Sequence, residues 1–361
     1  MNYRLATILA QESATTPATK TIDLRVDSPI SRLNIVYKPT NSNATIVNHP
    51  SRCLTKVEVV DGSEVLFSCS GRELRAAAFY GTRKVPIDIP SYNTGDECMF
   101  EASIYFGRKL YDPMLALDPT RFKNPQLKIS HNLALGGATP SSATLAVFAD
   151  LFDEKVISPM GFLMTKELYS YLPVASAHEY VDLPTDFPYR MLLVGGESHA
   201  KMLMWRIAKV KLSEDFDKKL PLPETAMLDL LQGILAMYPR IMEHIIAVVP
   251  STETDIPMVA GYEGFGIGGG YGNNMTGISM GNGGGGNIHA YASTTATGAF
   301  WLLVGGCCPQ NFALLPTGDI DVIDDFYSPE ALKSLRLDIL ADTSPGTSDA
   351  IQVVGQQLRA Y

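Results

Sequence analysis

The 361-residue sequence contains few cysteines, and their spacing excludes the sites that paired cysteines build. The five are Cys53, Cys69, Cys98, Cys307 and Cys308. An odd number of cysteines without a CxxC pair indicates neither a disulfide framework nor a structural zinc site. We therefore expect buried free thiols.

Histidine is also scarce, and the usual signatures of catalytic sites are missing. The chain has no GxSxG nucleophile elbow. The adjacent pairs His178–Glu179 and Glu243–His244 point to different faces, which predicts surface or capping residues. We predict no enzymatic activity and no catalytic, cofactor-binding or metal-ligating residue. The six histidines, none at HxH or HExxH spacing, are His49, His131, His178, His199, His244 and His289.

Positive charge is in short supply, with 29 Lys and Arg residues against 38 Asp and Glu and a net charge of -9. A protein that coats nucleic acid needs clustered Lys and Arg to displace counterions, so this balance argues against that function. No apolar run reaches the length of a membrane-spanning helix. The N-terminal MNYRLATILA lacks the features of a secretory signal. We expect a protein that is made and folded in a cytoplasm.

The sequence is rich in glycine, proline and short runs of alternating apolar and polar residues. Thirty Gly and 23 Pro residues beside such runs favour an all-β protein with many turns. Leu54–Ser68 predicts a hairpin that turns at Asp61-Gly62, a pair that tolerates positive φ. Ser70 and Glu73 stand at capping-box spacing before good helix formers, which predicts a short helix after the hairpin.

The other elements of the first half are weaker signals. Thr21–Val26 and Leu33–Tyr37 predict strands before the hairpin, and Cys98–Phe106 predicts a strand after the helix. Asp118-Pro119 predicts a capped helical turn. Leu127–Phe152 predicts two strands joined by a small-residue turn, interpreted as a closing hairpin.

A second copy of this pattern follows. Leu335–Leu358 repeats the arrangement of the closing hairpin, and Pro223–Tyr238 predicts a helix with proline at its first position. The separation between the copies grows after Val210, which predicts an insertion in the second half. Five pairs of landmarks keep their order, namely Arg32 with Arg190, Val57 with Val210, Phe100 with Phe300, Pro119 with Pro329, and Leu127 with Leu335. The chain is therefore predicted to consist of two like halves.

A glycine-rich stretch fills the predicted insertion, residues 251–298. Gly264–Gly269 satisfies GxGxxG, but a dinucleotide fingerprint needs a preceding strand and a helix that begins within it. Here the glycines continue to Gly286. We predict a long surface loop whose Met275, Ile278 and Met280 pack on a neighbouring subunit or face solvent.

Carboxylates cluster at Asp319, Asp321, Asp324 and Asp325. Their spacing allows a calcium site, but the glycine and the bidentate glutamate of a calcium loop are missing. The preferred interpretation is a solvated acidic edge of the β domain.

The order of elements, present twice, resembles that of double jelly-roll major capsid proteins of icosahedral viruses and tailless phages. The motifs are TKVEVVDGSEVLFSCSGRELRAAAFY, LDPTRFKNPQLKI and, in the second half, FPYRMLLV followed by KVKLSEDFDKKLPLPETAMLDLL. The resemblance implies an all-β fold of two tandem eight-stranded antiparallel jelly-roll barrels with short helices. We expect an N-terminal arm over residues 1–20, a first jelly roll over 21–160 and a second over 161–361.

The resemblance also implies a structural protein of the virion capsid, synthesised in the host cytoplasm. Two jelly rolls in each of three chains would give a homotrimer of pseudo-hexagonal outline. Such capsomers contact neighbouring capsomers and minor capsid or penton proteins in an icosahedral shell. Members commonly enclose a membrane, and an inward-facing arm with Arg4 would touch that membrane or minor proteins. No cofactor and no sequence-specific nucleic acid are implied.

Two other classes of function are compatible with a duplicated β protein. A carbohydrate-binding or receptor-binding virion β-sandwich would expose aromatic side chains, whereas Trp205 and Trp301 lie in apolar runs that predict core positions. A bicupin enzyme would need a pair of histidines and a following glutamate on one strand, which neither half provides. Glycan binding and metal analysis separate these two classes from assembly.

Overall fold

The computed structural model describes residues 1–361 except 87, 197–200, 250–253, 272–285, 291–297 and 347–348. The first half contains β1 (Tyr3–Ser13), β2 (Ala18–Asp23), β3 (Ile30–Asn41), β4 (Leu54–Asp61), β5 (Glu64–Cys69), α1 (Gly71–Thr82), β6 (Ala102–Tyr105), β7 (Pro125–His131) and β8 (Pro140–Phe152). The second half contains β9 (Gly161–Tyr171), β10 (His178–Asp182), β11 (Tyr189–Gly195), β12 (Ile207–Glu214), β13 (Lys219–Ala226), α2 (Met227–Leu235), β14 (Ile241–Val249), β15 (Thr254–Pro257), β16 (Ala260–Tyr271), β17 (Asn287–Ala290), β18 (Gly298–Pro309), β19 (Phe312–Leu315), β20 (Leu335–Ala341) and β21 (Ile351–Ala360). Short 3₁₀ helices occur at Pro50–Cys53, Pro119–Arg121, Leu133–Leu135, Leu203–Trp205 and Ile323–Asp325. Among the residues described, no helix has both the length and the apolar character needed to cross a membrane.

The strands of the first half form two antiparallel arrays. One has the order β1-β8-β3-β6, and the other has the order β2-β7-β4-β5. Neighbours in each array come from distant parts of the sequence, except for the β4–β5 hairpin. This is the strand order of a jelly roll, in which two Greek keys form a double sheet.

The second half repeats this order strand for strand. Its arrays are β9-β21-β11-β19 and β10-β20-β12-β13, and α2 follows the fifth strand as α1 does in the first half. The landmark pairs Arg32 with Arg190, Val57 with Val210 and Leu127 with Leu335 lie on corresponding strands. The predicted all-β double jelly-roll fold is therefore confirmed.

The two halves share one continuous sheet. Strand β5 of the first half and β9 of the second are parallel neighbours, paired at Ser68 and Lys166. This pairing joins two four-stranded arrays into an eight-stranded sheet. Buried side chains from both halves belong to one hydrophobic core cluster, so the halves are packed together over an apolar interior.

The predicted closing hairpins are wrong. Strand β7 pairs with β2 and β4, whereas β8 pairs with β1 and β3, so the two strands of Leu127–Phe152 lie in different sheets. Strands β20 and β21 are separated in the same way. Alternation of apolar residues specifies which face of a strand is buried, but it does not specify the neighbouring strand.

The predicted N-terminal arm is also wrong for most of its length. Residues 3–13 form β1, which pairs with β8 from Tyr3–Phe152 to Ser13–Thr144. This strand is at the edge of its array and leaves Leu5 61% exposed. Strand β1 has a neighbouring strand on one edge only, and its register shifts twice. Its sequence therefore does not alternate regularly between apolar and polar residues.

The helices differ in how well the sequence predicts them. Ser70 and Glu73 form the predicted capping box of α1, with Ser70 N donating to Glu73 Oε2 at 2.6 Å. In contrast, α2 begins at Met227 rather than near Pro223. The residues around Pro223 pair with β12 as strand β13, and this tertiary pairing overrides the helix signal.

The insertion lies between α2 and β19. It contains a three-stranded sheet in the order β14-β18-β16 and a two-stranded ribbon of β15 and β17. Phe300 lies on β18, so its predicted match to Phe100 is wrong, and β19 is the counterpart of β6. Gly264–Gly269 lies on strand β16 and not in a loop, whereas Met275, Ile278 and Met280 fall outside the described residues.

The insertion packs against the first half of the chain. Ile246 in β14 accepts a hydrogen bond from Tyr92 N at 2.7 Å and donates to Pro90 O at 3.1 Å. Tyr92 and Ala138 of the first half belong to the same buried cluster as Ile245 and Leu302 of the insertion. The second half is therefore attached to the first by the shared sheet and also by the insertion.

Corresponding arginines on β3 and β11 have different partners. Arg32 Nε donates to the Asp150 carboxylate at 2.7 Å. Arg190 is 2% exposed, and its guanidinium donates to Gln356 Oε1 at 2.7 Å and to backbone carbonyls. Burial lowers the pKa of Arg190 to about 10, although Asp321 Oδ1 lies 4.0 Å from its Nη2 and opposes the shift.

Replacing Gln356 with glutamate is expected to stabilise the protein by about 1 kcal/mol, because charge-assisted hydrogen bonds are the stronger class. The new carboxylate would also accept from Thr165 Oγ1, which lies 2.9 Å from Gln356 Nε2. Urea denaturation at neutral pH measures the effect. The matched change Asp150→Asn should instead destabilise the protein, and a less stable Gln356→Glu variant would contradict the prediction.

Candidate functional site

A buried polar network connects the first half to the insertion. His49 Nε2 lies 2.8 Å from Glu243 Oε1, and His49 Nδ1 lies 2.7 Å from Ser51 Oγ. Glu243 Oε2 accepts a hydrogen bond from Val259 N at 2.8 Å. His49, Ser51 and Glu243 are each at most 2% exposed.

The backbone determines the tautomer of His49. Ser51 N donates to His49 Nδ1 at 3.1 Å, where the ring begins the 3₁₀ helix Pro50–Cys53 as its N-cap. A nitrogen that accepts from a backbone N–H carries no proton, so Nε2 carries the proton and donates to Glu243. His49 is therefore the neutral Nε2–H tautomer.

A serine, a histidine and a carboxylate at these distances have the connectivity of a nucleophilic triad. Ser51 is fully buried, however, so a substrate in solvent has no path to its hydroxyl in this conformation. The network instead satisfies buried polar groups of two segments distant in sequence. Glu243 is thus a buried structural residue, and its predicted surface or capping role is wrong.

The other described histidines are dispersed. His178 Nδ1 lies 2.8 Å from Asp338 Oδ1, and His289 Nδ1 lies 2.5 Å from Asp255 Oδ1. The His244 ring is 4.9 Å from the Trp301 ring. Outside the gaps in the described chain, which include His199, no three His, Cys, Asp or Glu side chains converge as a metal site would require.

The acidic residues are solvent-exposed and the cysteines are buried, as the sequence predicts. Asp319, Asp321, Asp324 and Asp325 are all exposed, and Arg83 Nη1 lies 2.7 Å from Asp321 Oδ2. All five cysteines are free and buried, as predicted. Burial raises the pKa of Cys53 and of Cys98 to about 12, which keeps both thiols protonated and unreactive.

An apolar surface covers one side of the three-stranded sheet of the insertion. Trp301 and Leu303 on β18 are 52% and 44% exposed, and His244 and Ile246 on β14 are half-buried beside them. We call these four residues the outer face. The prediction that Trp205 and Trp301 are core residues is wrong, since Trp205 is 45% exposed. An apolar run alone does not distinguish a strand buried on both sides from one buried on one side.

Comparison with known proteins identifies related folds only at the level of structure. No protein-family model and no curated protein matches the chain. The major capsid protein P2 of bacteriophage PM2 is 11% identical with a TM-score of 0.56, over 99% of this chain and 98% of that protein. The STIV MCP is 12% identical with a TM-score of 0.57, over 99% and 98% of the two chains. VP54 of PBCV-1 is 9% identical with a TM-score of 0.59, over 99% and 94%.

These three proteins are double jelly-roll major capsid proteins of icosahedral viruses. The match extends over nearly the whole length of each chain. At such low identity the similarity shows a shared fold.

Proposed function

We propose that this chain is a major capsid protein that forms pseudo-hexagonal trimers and assembles into an icosahedral shell. The observation that carries the proposal is the near-complete match, in both chains, to major capsid proteins of three viruses. Fold alone permits several functions, but full-length agreement of two tandem jelly rolls is a narrower similarity than one shared domain. The proposed location is the virion.

The duplicated topology supports the trimer. We propose the two jelly rolls predicted over residues 21–160 and 161–361 as the lobes, with β1 added to the first. Three chains with two similar lobes each would give six lobes around one axis, and closed rotational symmetry is the rule for such oligomers. The proposed partners are other copies of this chain and further capsid proteins.

Electron microscopy of the purified protein, together with light scattering, tests this function. Six-lobed particles or shells, and a mass three times that of the chain, are the expected result. A protein that stays monomeric at high concentration would overturn the proposal.

The glycine-rich insertion is proposed to contribute to the trimer contact. Deleting Gly264–Gly286 would remove most of β16. A change that leaves this strand in place is the triple substitution Met275→Ser, Ile278→Ser and Met280→Ser. The triple variant should form a weaker trimer while its two halves stay folded, because these apolar side chains cannot form a core alone in a glycine-rich segment. Light scattering over a dilution series measures the effect. A control variant, Met237→Ser, changes a methionine that is 65% exposed on the same half. An unchanged trimer in the triple variant would instead favour an external projection.

Carbohydrate binding is a second candidate, because Trp205 and Trp301 are exposed rather than buried. Exposed tryptophans are a common feature of sugar-binding surfaces, where an aromatic ring covers the apolar face of the ligand. A glycan array probed with the wild type and with Trp205→Ala and Trp301→Ala variants tests this candidate. The candidate is supported if the wild type binds a glycan and each of the two variants fails to bind it.

We also propose that the chain is not an enzyme. The three capsid proteins of similar fold support this, as does the complete burial of Ser51 in the triad-like network. Stoichiometric zinc, iron or manganese bound to the purified protein, or hydrolysis that depends on Ser51, would overturn it.

A further inference from the structure

A cavity of about 230 Å³ lies between the C-terminal half of α1 and the array that contains β3 and β6. Its apolar wall includes Ala78, Phe79, Val85 and Leu110. Its polar lining consists of Arg32, Arg75, Thr82, Lys84, Glu101, Ser103 and Tyr105. The cavity opens to solvent, and its lining shares no residue with the outer face or with the His49 network.

Three cations but one carboxylate line this cavity. Arg32 is held by Asp150, and its Nη1 donates to Tyr105 Oη at 3.3 Å. Lys84 is exposed and its ammonium makes no hydrogen bond or ion pair within the described chain. Arg32 and Arg75 are each paired with a carboxylate, so Lys84 is the cation of this lining that remains for a ligand.

Arg75 is the clearest sign of a binding site. It is 4% exposed, and its Nη1 donates to Asp88 Oδ1 at 3.0 Å. Its Nε–H is buried and has no hydrogen-bond acceptor among the described residues. A buried donor without an acceptor costs about 1–3 kcal/mol, and a ligand that supplies the acceptor would recover that energy.

The carboxylates that oppose an anion are engaged with the arginines. Asp88 accepts from both terminal nitrogens of Arg75 and Asp150 accepts from Arg32, while Glu243 also acts electrostatically on Arg75. Glu101 Oε1 accepts from Ser103 Oγ at 3.1 Å and lies 3.9 Å from Arg32 Nη1. The C-terminal carbonyls of α1 are occupied as well, since Phe79 O accepts from Arg83 N and Ala78 O accepts from Thr82 Oγ1. The apolar wall lowers the local dielectric and strengthens attraction by the cations.

We propose that this cavity binds a small oxyanion, held by Lys84, Arg32 and the Nε–H of Arg75, with the Tyr105 hydroxyl as a further donor. Phosphate and carboxylate share the required chemistry, which is several acceptor oxygens around one negative centre. The site does not depend on the capsid function and would be present in an isolated chain.

Calorimetric titration of the purified full-length chain with inorganic phosphate, and separately with succinate, tests the proposal. Chloride at equal ionic strength is the reference. At least one of the two anions should bind saturably at one site per chain, and their comparison identifies the preferred oxyanion. Lys84→Met should weaken binding about tenfold, the loss expected for a hydrogen bond to a charged group, while leaving the fold intact because Lys84 is exposed.

Two further variants test the direction of the charge effect and its specificity for this cavity. Glu101→Gln keeps an acceptor for Ser103 Oγ and removes the one carboxylate in the lining, so binding should strengthen. Lys123→Met makes the same chemical change as Lys84→Met at an exposed lysine outside the cavity lining, and binding should not change. The proposal is overturned if neither anion saturates, or if Lys84→Met and Lys123→Met have equal effects.

Discussion

Replacing Glu73 with glutamine is expected to abolish a loss of stability that the wild-type protein undergoes as the pH rises from about 4.5 to about 8. Glu73 is fully buried at the start of α1. Burial, and then the nearby Glu167, raise the pKa of Glu73 to about 8, against an ordinary value of 4.5. The carboxyl is therefore protonated in the native protein at neutral pH.

The direction of the effect follows from proton linkage. Between pH 4.5 and 8 the native state holds a proton on Glu73 that the unfolded state has lost, so the free energy of unfolding falls as the pH rises. The fall is about 1.4 kcal/mol per pH unit while the difference persists, which amounts to several kcal/mol. Below this window both states are protonated and the contribution is constant.

Glutamine is the informative substitution because it preserves the capping box. Its amide oxygen can accept from Ser70 N as Glu73 Oε2 does, but it does not titrate. In urea denaturation from pH 4 to 9, the free energy of unfolding of the variant should rise steadily relative to that of wild type up to pH 8. Glu330→Gln, at an exposed position, is the control and should follow wild type. Parallel pH profiles for wild type and Glu73→Gln would contradict the prediction.

Replacing Glu243 with alanine should cost about 2–6 kcal/mol, because two buried donors lose their acceptor at about 1–3 kcal/mol each. The change leaves His49 Nε2–H and Val259 N–H buried without their acceptor. Glutamine should also be poorly tolerated. Its amide group has one acceptor for two donors, and His49 cannot change tautomer because Ser51 N donates to Nδ1.

Chemical denaturation measures the loss, and hydrogen exchange locates it. Faster exchange is expected in β14 and in the segment around Val259, where the insertion contacts the first half. Glu263→Gln changes a carboxylate of the same insertion that is 51% exposed, and it should leave stability and exchange unchanged. A Glu243→Gln variant as stable as wild type would show that the network is dispensable.

Local signals in the sequence were sufficient for part of this fold. The β4–β5 hairpin with Gly62 at positive φ and the capping box of Ser70 and Glu73 were predicted correctly. Each depends on residues a few positions apart. The duplication was also predicted, because Arg32 and Arg190 lie near the start of strands that have the same pattern and the same place in the order.

Features that depend on distant residues were missed. Strand β1 is identified by its pairing with β8, and Glu243 is identified by its contact with His49, 194 positions away. Neither contact produces a recognisable pattern in the neighbouring sequence. Trp301 has the same apolar neighbours as a core residue, and only the arrangement of β14, β18 and β16 shows that its side of the sheet is uncovered.

The pairing of β5 with β9 has a consequence for synthesis on the ribosome. Strand β8 completes the first jelly roll, so this half is able to close once Phe152 has emerged, before the second half exists. Its β5 edge is then unpaired, and a free strand edge is prone to aggregation. The next strand to be translated after β8 is β9, the one that covers this edge. The order of translation thus keeps the lifetime of the exposed edge short in a nascent chain.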